Sequence, residues 1–109
     1  MSPFSFDLIG EVITQGERRT VTISFGKAIM NLPTITVSRD ENGKFKTVFW
    51  HDRGGHRIFE LSFREFDMSY PDYNRKMREI WDVVTDDPDH ANDFIALLQE
   101  AERRLEPVE

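Results

Sequence analysis

The 109-residue sequence contains no cysteine. This absence excludes disulfide bonds, thiolate zinc sites and a thiol nucleophile together, and it is typical of proteins from reducing compartments. No apolar run approaches the roughly 20 residues that span a bilayer. The first residues carry neither a basic segment nor an apolar core, so we expect no secretory leader. We therefore predict a cytoplasmic protein that neither spans nor binds a membrane.

The sequence motifs of common enzymes are also missing. There is no Gly-x-Ser-x-Gly elbow, no Walker phosphate loop, no Gly-x-Gly-x-x-Gly and no His-Glu-x-x-His. A chain of this length is also small for enclosing a pocket of several hundred Å³. We therefore predict that the protein is not an enzyme and uses no cofactor or metal. The alternative is metal-assisted catalysis through His51, Asp52 and His56, which flank a glycine turn, although histidines near turns are more often simply solvated.

Apolar and polar residues alternate through the first two-thirds of the chain, and this period is typical of half-buried strands. In residues 20–25, for example, Val21, Ile23 and Phe25 share one face. Further strands are predicted at residues 4–13, 34–38, 44–50 and 56–63. Turn residues separate them, including Gly16 and the Asn42-Gly43 pair. The pattern predicts an antiparallel meander of about five strands within residues 1–67.

The apolar spacing becomes helical in the last third of the chain. A first stripe consists of Tyr73, Met77, Ile80, Trp81 and Val84, and a second consists of Phe94, Leu97, Leu98, Ala101 and Leu105. Ser69 with Asp72 is typical of a helix start, as is Asp87 followed by Pro88. The sequence therefore predicts an α+β fold in one domain, residues 1–109, with two amphipathic helices in residues 68–106 that pack on the sheet.

Charge is divided unevenly along the chain, whose net charge is −6. Residues 18–64 carry nine Lys and Arg against four Asp and Glu, whereas residues 65–109 carry five against thirteen. Because such asymmetry is informative about partners, both regions are candidate interaction surfaces. The alternative is that both regions are ordinary solvated faces of one fold.

Five aspartates cluster where the first predicted helix ends and the second begins. They are Asp82, Asp86, Asp87, Asp89 and Asp93. Their spacing is not that of an EF-hand loop, so we predict no metal there. Carboxylates are favourable at a helix N-terminus in any case. An acidic cluster can also dock on a basic protein surface, and we predict a partner-binding patch.

A second candidate surface is the outward face of the predicted sheet. If Phe45, Thr47 and Phe49 point to the core, the residues between them point outward. The predicted surface consists of Arg39, Lys44, Lys46, Val48, Trp50 and Ile58. Exposed apolar side chains in one patch favour an interaction site, and a Trp among cations suits stacking on nucleobases. The alternative is that a helix or a second subunit covers this face.

The strands and trailing helix resemble small single-stranded nucleic-acid-binding folds of the PUR-repeat type. The resemblance rests on Asn42-Gly43-Lys44-Phe45-Lys46, on Gly54-Gly55 and on Arg57. It covers about half of the chain and implies a sheet whose basic and aromatic residues meet a nucleic-acid strand. The second helix and the acidic total depart from that pattern, so the chain is not assigned to the family.

We predict a small, acidic, non-enzymatic protein-binding module of the regulator, inhibitor, immunity or adaptor type. The alternative is a single-stranded nucleic-acid-binding domain that uses the outer face of the sheet. An exposed edge strand, or the apolar outer face, also allows a homodimer.

Overall fold

The computed structural model describes residues 5–25, 32–50, 56–64, 70–85 and 88–106. Within these residues a five-stranded antiparallel sheet is followed by two helices, which confirms the predicted α+β fold. The strands lie side by side in chain order, and their bounds are β1 Ile13–Gln15, β2 Arg18–Ile23, β3 Thr34–Arg39, β4 Lys44–Trp50 and β5 Arg57–Arg64. The helices are α1 Tyr70–Thr85 and α2 Ala91–Arg104. No helix in the described segments combines the length and apolarity needed to cross a bilayer.

Two tight turns, both at positions that the sequence predicts, connect β1 to β2 and β3 to β4. Gly16 between β1 and β2 and Gly43 between β3 and β4 have φ angles of 61° and 75°, which glycine adopts without steric cost. The Asp40 carboxylate accepts hydrogen bonds from the backbone N–H groups of Asn42 and Lys44, both at 2.9 Å. This side chain therefore holds the β3–β4 turn in shape.

The N-terminal segment differs from the predicted strand at residues 4–13. A short 3₁₀ helix, Phe6–Leu8, lies within it. Among its described residues, pairing with β2 is limited to the bridge from Ile9 to Ile23 and to Ile13, the first residue of β1. The physical reason lies in Ser5, whose hydroxyl accepts a hydrogen bond from the Asp7 N–H at 3.2 Å. Such local side-chain bonds offer the backbone an alternative to strand pairing.

The core lies between one face of the sheet, here called the inner face, and the two helices. Val21, Ile35 and Phe49 of the inner face are fully buried, as the alternation predicts. Trp81 of α1 stacks on Phe94 of α2 with ring centroids 4.5 Å apart. Phe94 in turn contacts Phe49 at 5.9 Å. The aromatic contacts therefore join both helices to the same face of the sheet.

The start of α2 is displaced from the predicted one. A 3₁₀ turn, Pro88–His90, precedes the α-helix, which begins at Ala91 instead of Pro88. Such turns are frequent at helix ends. The proposed caps Asp87 and Ser69 lie outside the described residues.

The end of α2 is tied to the sheet by Arg19 of β2. Its guanidinium donates to the backbone carbonyls of Leu105, at 3.1 Å, and of Glu106. Because the last carbonyls of a helix lack partners within the helix, a cation at this position stabilises the helix end.

Candidate functional site: the outer face of the sheet

Both helices pack on the inner face of the sheet, and no described helix lies on the opposite face. Its residues follow from the register, since neighbours along a strand point to opposite faces. Val48, for example, pairs with Thr36 of β3 and with Glu60 of β5. Ile13 at one edge is 60% exposed and Ile58 at the other is 36% exposed. We call this surface the outer face.

Hydroxyl side chains dominate the centre of the outer face. The register places six of them there, on the three strands β2, β3 and β5: Thr20, Thr22, Thr34, Thr36, Ser38 and Ser62. The end of the face near the β3–β4 turn carries the cations Arg18, Lys44 and Lys46. Trp50 lies at the other end of β4. The seven residues of β4 span about 20 Å. The cationic and aromatic ends are therefore too far apart to contact one small ligand.

Trp50 is half-buried on the outer face because its indole is tied to the sheet. The indole N–H donates to the Thr36 hydroxyl at 3.0 Å. Val48, which lies opposite Thr36, is only 6% exposed and does not belong to the main core cluster. The prediction that Val48 forms part of an exposed apolar patch is therefore wrong. Ile58 remains exposed, beside an irregularity in the pairing that sets Trp50 opposite Arg57.

Arg39 does not lie on the outer face, contrary to its predicted place in this surface. It pairs with Phe45, so it shares the inner face with that residue. Its guanidinium lies 5.5 Å from the centre of the Phe45 ring. Cation–π contact of this kind fixes the side chain at the edge of the helix-covered face.

The cationic end of the outer face contains a shallow groove of about 170 Å³. It is lined by Arg18, Ser38, Asp40, Lys44, Lys46, Glu60 and Ser62. Four elements therefore contribute to it: the strands β2, β3, β4 and β5, with Asp40 at the turn after β3.

Both carboxylates of the groove are engaged by neighbouring groups. Glu60 lies 3.4 Å from the Lys46 ammonium and also pairs with Arg57. Desolvation works to raise the pKa of Glu60, but the Arg57 hydrogen bond and the Lys46 charge outweigh it and hold that pKa below its ordinary value. The backbone N–H of Lys44 is the main cause of the lowered pKa of Asp40, and the charges of Arg18 and Lys44 add to it.

Two cations of the groove interact with Asp40 only at longer range. Within the described residues, neither Arg18 nor Lys44 forms an ion pair, and both side chains are exposed. The predicted strand begins at Thr20 and therefore omits Arg18. Because alternate residues of a strand share a face, a strand extended by two residues from Thr20 would have placed Arg18 on the outer face.

The predicted acidic patch is only partly described. Asp82 on α1 and Asp89 in the 3₁₀ turn are exposed, whereas Asp93 in the first turn of α2 is half-buried. Asp86 and Asp87 lie outside the described residues. A continuous acidic surface therefore stays a prediction.

The alternative catalytic group is not assembled by the described residues either. His56 is exposed, and His51 and Asp52 lie outside the described segments. In the part of the chain that the structure describes, no cluster of three His, Asp or Glu side chains is placed to hold a metal ion.

Comparison with protein-family models, with curated proteins and with solved structures gives no match to this chain. What bears on its function is therefore the geometry of its own surfaces.

Proposed function

We propose that this chain is a non-enzymatic protein-binding module of the regulator, inhibitor or adaptor type, and that the outer face binds an acidic segment of its partner. The observation that carries this proposal is the arrangement of the layers. Both helices pack on the inner face, while the outer face presents two cations without ion-pair partners in the described chain. The cytoplasmic location predicted from the sequence belongs to the same proposal.

Charge complementarity determines the kind of partner. The three cations in the lining of the groove, Arg18, Lys44 and Lys46, outnumber its two carboxylates. A partner with negative charge on an extended segment therefore gains from lying along the groove. The exposed Ile13 and Ile58 at the two edges add apolar contact area beside it. Since the charges are solvent-exposed, they favour fast and salt-sensitive association more than high affinity.

Single-stranded nucleic acid is the weaker candidate for the same face. A nucleic-acid strand needs several cations for its phosphates and open aromatic faces for its bases. Here Arg39 lies on the opposite face, and Lys46 is paired with Glu60. Trp50 is half-buried with its N–H engaged by Thr36. Fewer groups are therefore available for a strand than the sequence predicts.

Site-specific cross-linking in the producing cells tests the proposal. A photoreactive residue would replace Ser62, which is exposed on the outer face, or Lys76, which is exposed on α1. We expect a protein adduct from position 62. That adduct should disappear when Arg18→Glu and Lys44→Glu are added, but persist with Lys76→Glu and Arg78→Glu, which change the net charge equally on α1.

Three outcomes would overturn the proposal. A nucleic-acid adduct at position 62 would favour the nucleic-acid alternative. Protein adducts from position 76 alone would move the interface to the helical layer and its acidic residues. No adduct from position 62 would remove the outer face as a docking surface.

A further inference from the structure

We propose that the groove at the cationic end of the outer face binds a dianionic phosphoryl group, carried by a phosphorylated side chain of the partner. This inference rests on the proposed docking of a protein on the outer face, and adds the chemical group that the groove recognises.

The charge of the groove favours a dianion over a neutral or singly charged group. The Glu60 charge is compensated by Lys46 and Arg57, and the Asp40 carboxylate is occupied by the backbone of the turn. Arg18 and Lys44 form no ion pair in the described chain, although their charges act on Asp40. Arg18, Lys44, Lys46 and Arg57 carry four positive charges against the two carboxylates Asp40 and Glu60, so the group has a net charge of +2. This net charge of +2 matches the two negative charges of a phosphoryl group near neutral pH.

The hydrogen-bonding groups of the groove also suit phosphate. Ser38 and Ser62 lie in one row across the sheet, on either side of Lys46. Their hydroxyls can donate to phosphoryl oxygens, while the guanidinium can donate two parallel bonds. A carboxylate offers only two oxygens and one charge to the same donors.

The position of Lys44 is set by the backbone and not by its flexible side chain alone. The Asp40 carboxylate accepts from the Lys44 N–H, and the Asp40 N–H donates to the Lys44 carbonyl at 3.1 Å. This pairing brings Lys44 to the first position of β4 beside the groove. The volume of about 170 Å³ is below the 300–1,000 Å³ of sites for whole drug-sized molecules. A single charged group fits it better than a larger substrate.

Titration of the labelled protein tests the inference without the partner. Inorganic phosphate and a short phosphoserine peptide are added separately, and backbone amide shifts are followed by NMR. The same peptide with serine or glutamate in place of phosphoserine is the comparison. We expect saturable shifts at Ser38, Lys44 and Ser62 with phosphate and phosphoserine, and weaker binding of the glutamate peptide.

Variants locate the binding to the two cations. Arg18→Gln and Lys44→Gln should each weaken binding about two- to fivefold, the range of an exposed ion pair. Lys76→Gln removes an exposed cation from α1 and should leave the affinity unchanged. Unchanged affinity in both groove variants would overturn the inference.

The remaining outcomes separate this inference from the proposed function. Absence of groove shifts with either phosphate compound, or equal affinity for the glutamate peptide, would overturn the phosphoryl assignment. The adduct at position 62 would then still support protein docking. Binding of inorganic phosphate without binding of the phosphoserine peptide would overturn the assignment to a partner side chain.

Discussion

The two faces of the sheet are built from the same strands and differ in almost every physical property. The inner face consists mainly of aliphatic and aromatic residues and is buried beneath the helices. The outer face consists mainly of hydroxyl groups, charges and one indole, together with Val48 and the edge residues Ile13 and Ile58. Adjacent residues of one strand therefore contribute to stability on one side and remain available for binding on the other.

This division shows where selection for a partner could act without loss of the fold. The inner face has little freedom, because closely packed side chains are sensitive to single methylene groups. The outer face can exchange its hydroxyls and cations at a small cost in folding free energy. Substitutions that compare matched residues on the two faces test this division directly.

The largest contrast is expected between the two tryptophans. Trp81 is fully buried against Phe94 and Phe25, so Trp81→Ala should lower the free energy of unfolding by about 3–5 kcal/mol. Trp50→Ala removes a half-buried ring and one hydrogen bond, and should cost about 1–2 kcal/mol. Urea denaturation of both variants measures the difference. Equal losses would show that the outer face is as tightly packed as the core.

Neighbouring arginines give the next contrast. Arg19→Gln removes the side chain that binds the last carbonyls of α2 and should cost about 1–2 kcal/mol. Arg18→Gln changes a residue on the outer face and should alter stability by less than about 0.5 kcal/mol. Thermal unfolding of the pair provides the measurement. A large loss in Arg18→Gln would contradict its assignment to an open surface.

Threonine replaced by valine should have opposite effects on the two faces. The Thr47 hydroxyl is fully buried and has no hydrogen-bond partner among the described residues, so Thr47→Val should stabilise the protein by about 1 kcal/mol. Thr36→Val removes the acceptor of the Trp50 N–H, and should destabilise by about 0.5–1.5 kcal/mol. The midpoint of urea denaturation measures both changes in stability, provided that the slope of the transition is the same as in wild type. A loss of stability in Thr47→Val would indicate that its hydroxyl has a partner after all.

The alternation in the sequence was sufficient to place the sheet and its inner face. The predicted bounds of β4 are those observed, and Ile35 and Val37 are buried as expected. The same alternation places Arg39 on the inner face with Ile35 and Val37, so its assignment to the outer face could have been avoided. The alternation of a strand involves only neighbouring residues, so the face on which each side chain lies can be predicted from the sequence alone.

Other parts of the site depend on contacts that no local pattern contains. The burial of Val48 accompanies the hydrogen bond from Trp50 to Thr36, which joins side chains of two strands. The groove combines residues from β2 to β5. The 3₁₀ helix Phe6–Leu8 arises where one side-chain bond competes with strand pairing. These features require the register and the side-chain conformations together.

The smallest expected effect concerns acid stability and Glu60, the carboxylate that the edge strand β5 places on the outer face. The folded-state pKa of Glu60 lies below its ordinary value of 4.5. A lowered pKa means that the ionised group stabilises the fold above about pH 4.5, and that this contribution disappears as the pH falls through the folded-state pKa. Because Glu60 is solvent-accessible, the contribution is small and screened by salt. Glu60→Gln should therefore make the loss of stability toward acid pH slightly less steep, at low ionic strength only.

The control is Glu79→Gln, because Glu79 is an exposed carboxylate of α1 without an ion pair in the described chain. This variant should keep the wild-type profile. If urea midpoints between pH 3 and pH 7 showed the same slope in Glu60→Gln as in wild type, the Lys46–Glu60–Arg57 group would not persist in solution. Lys46 would then be a third cation of the outer face without an ion pair in the described chain, and the nucleic-acid alternative would gain support from the same experiment.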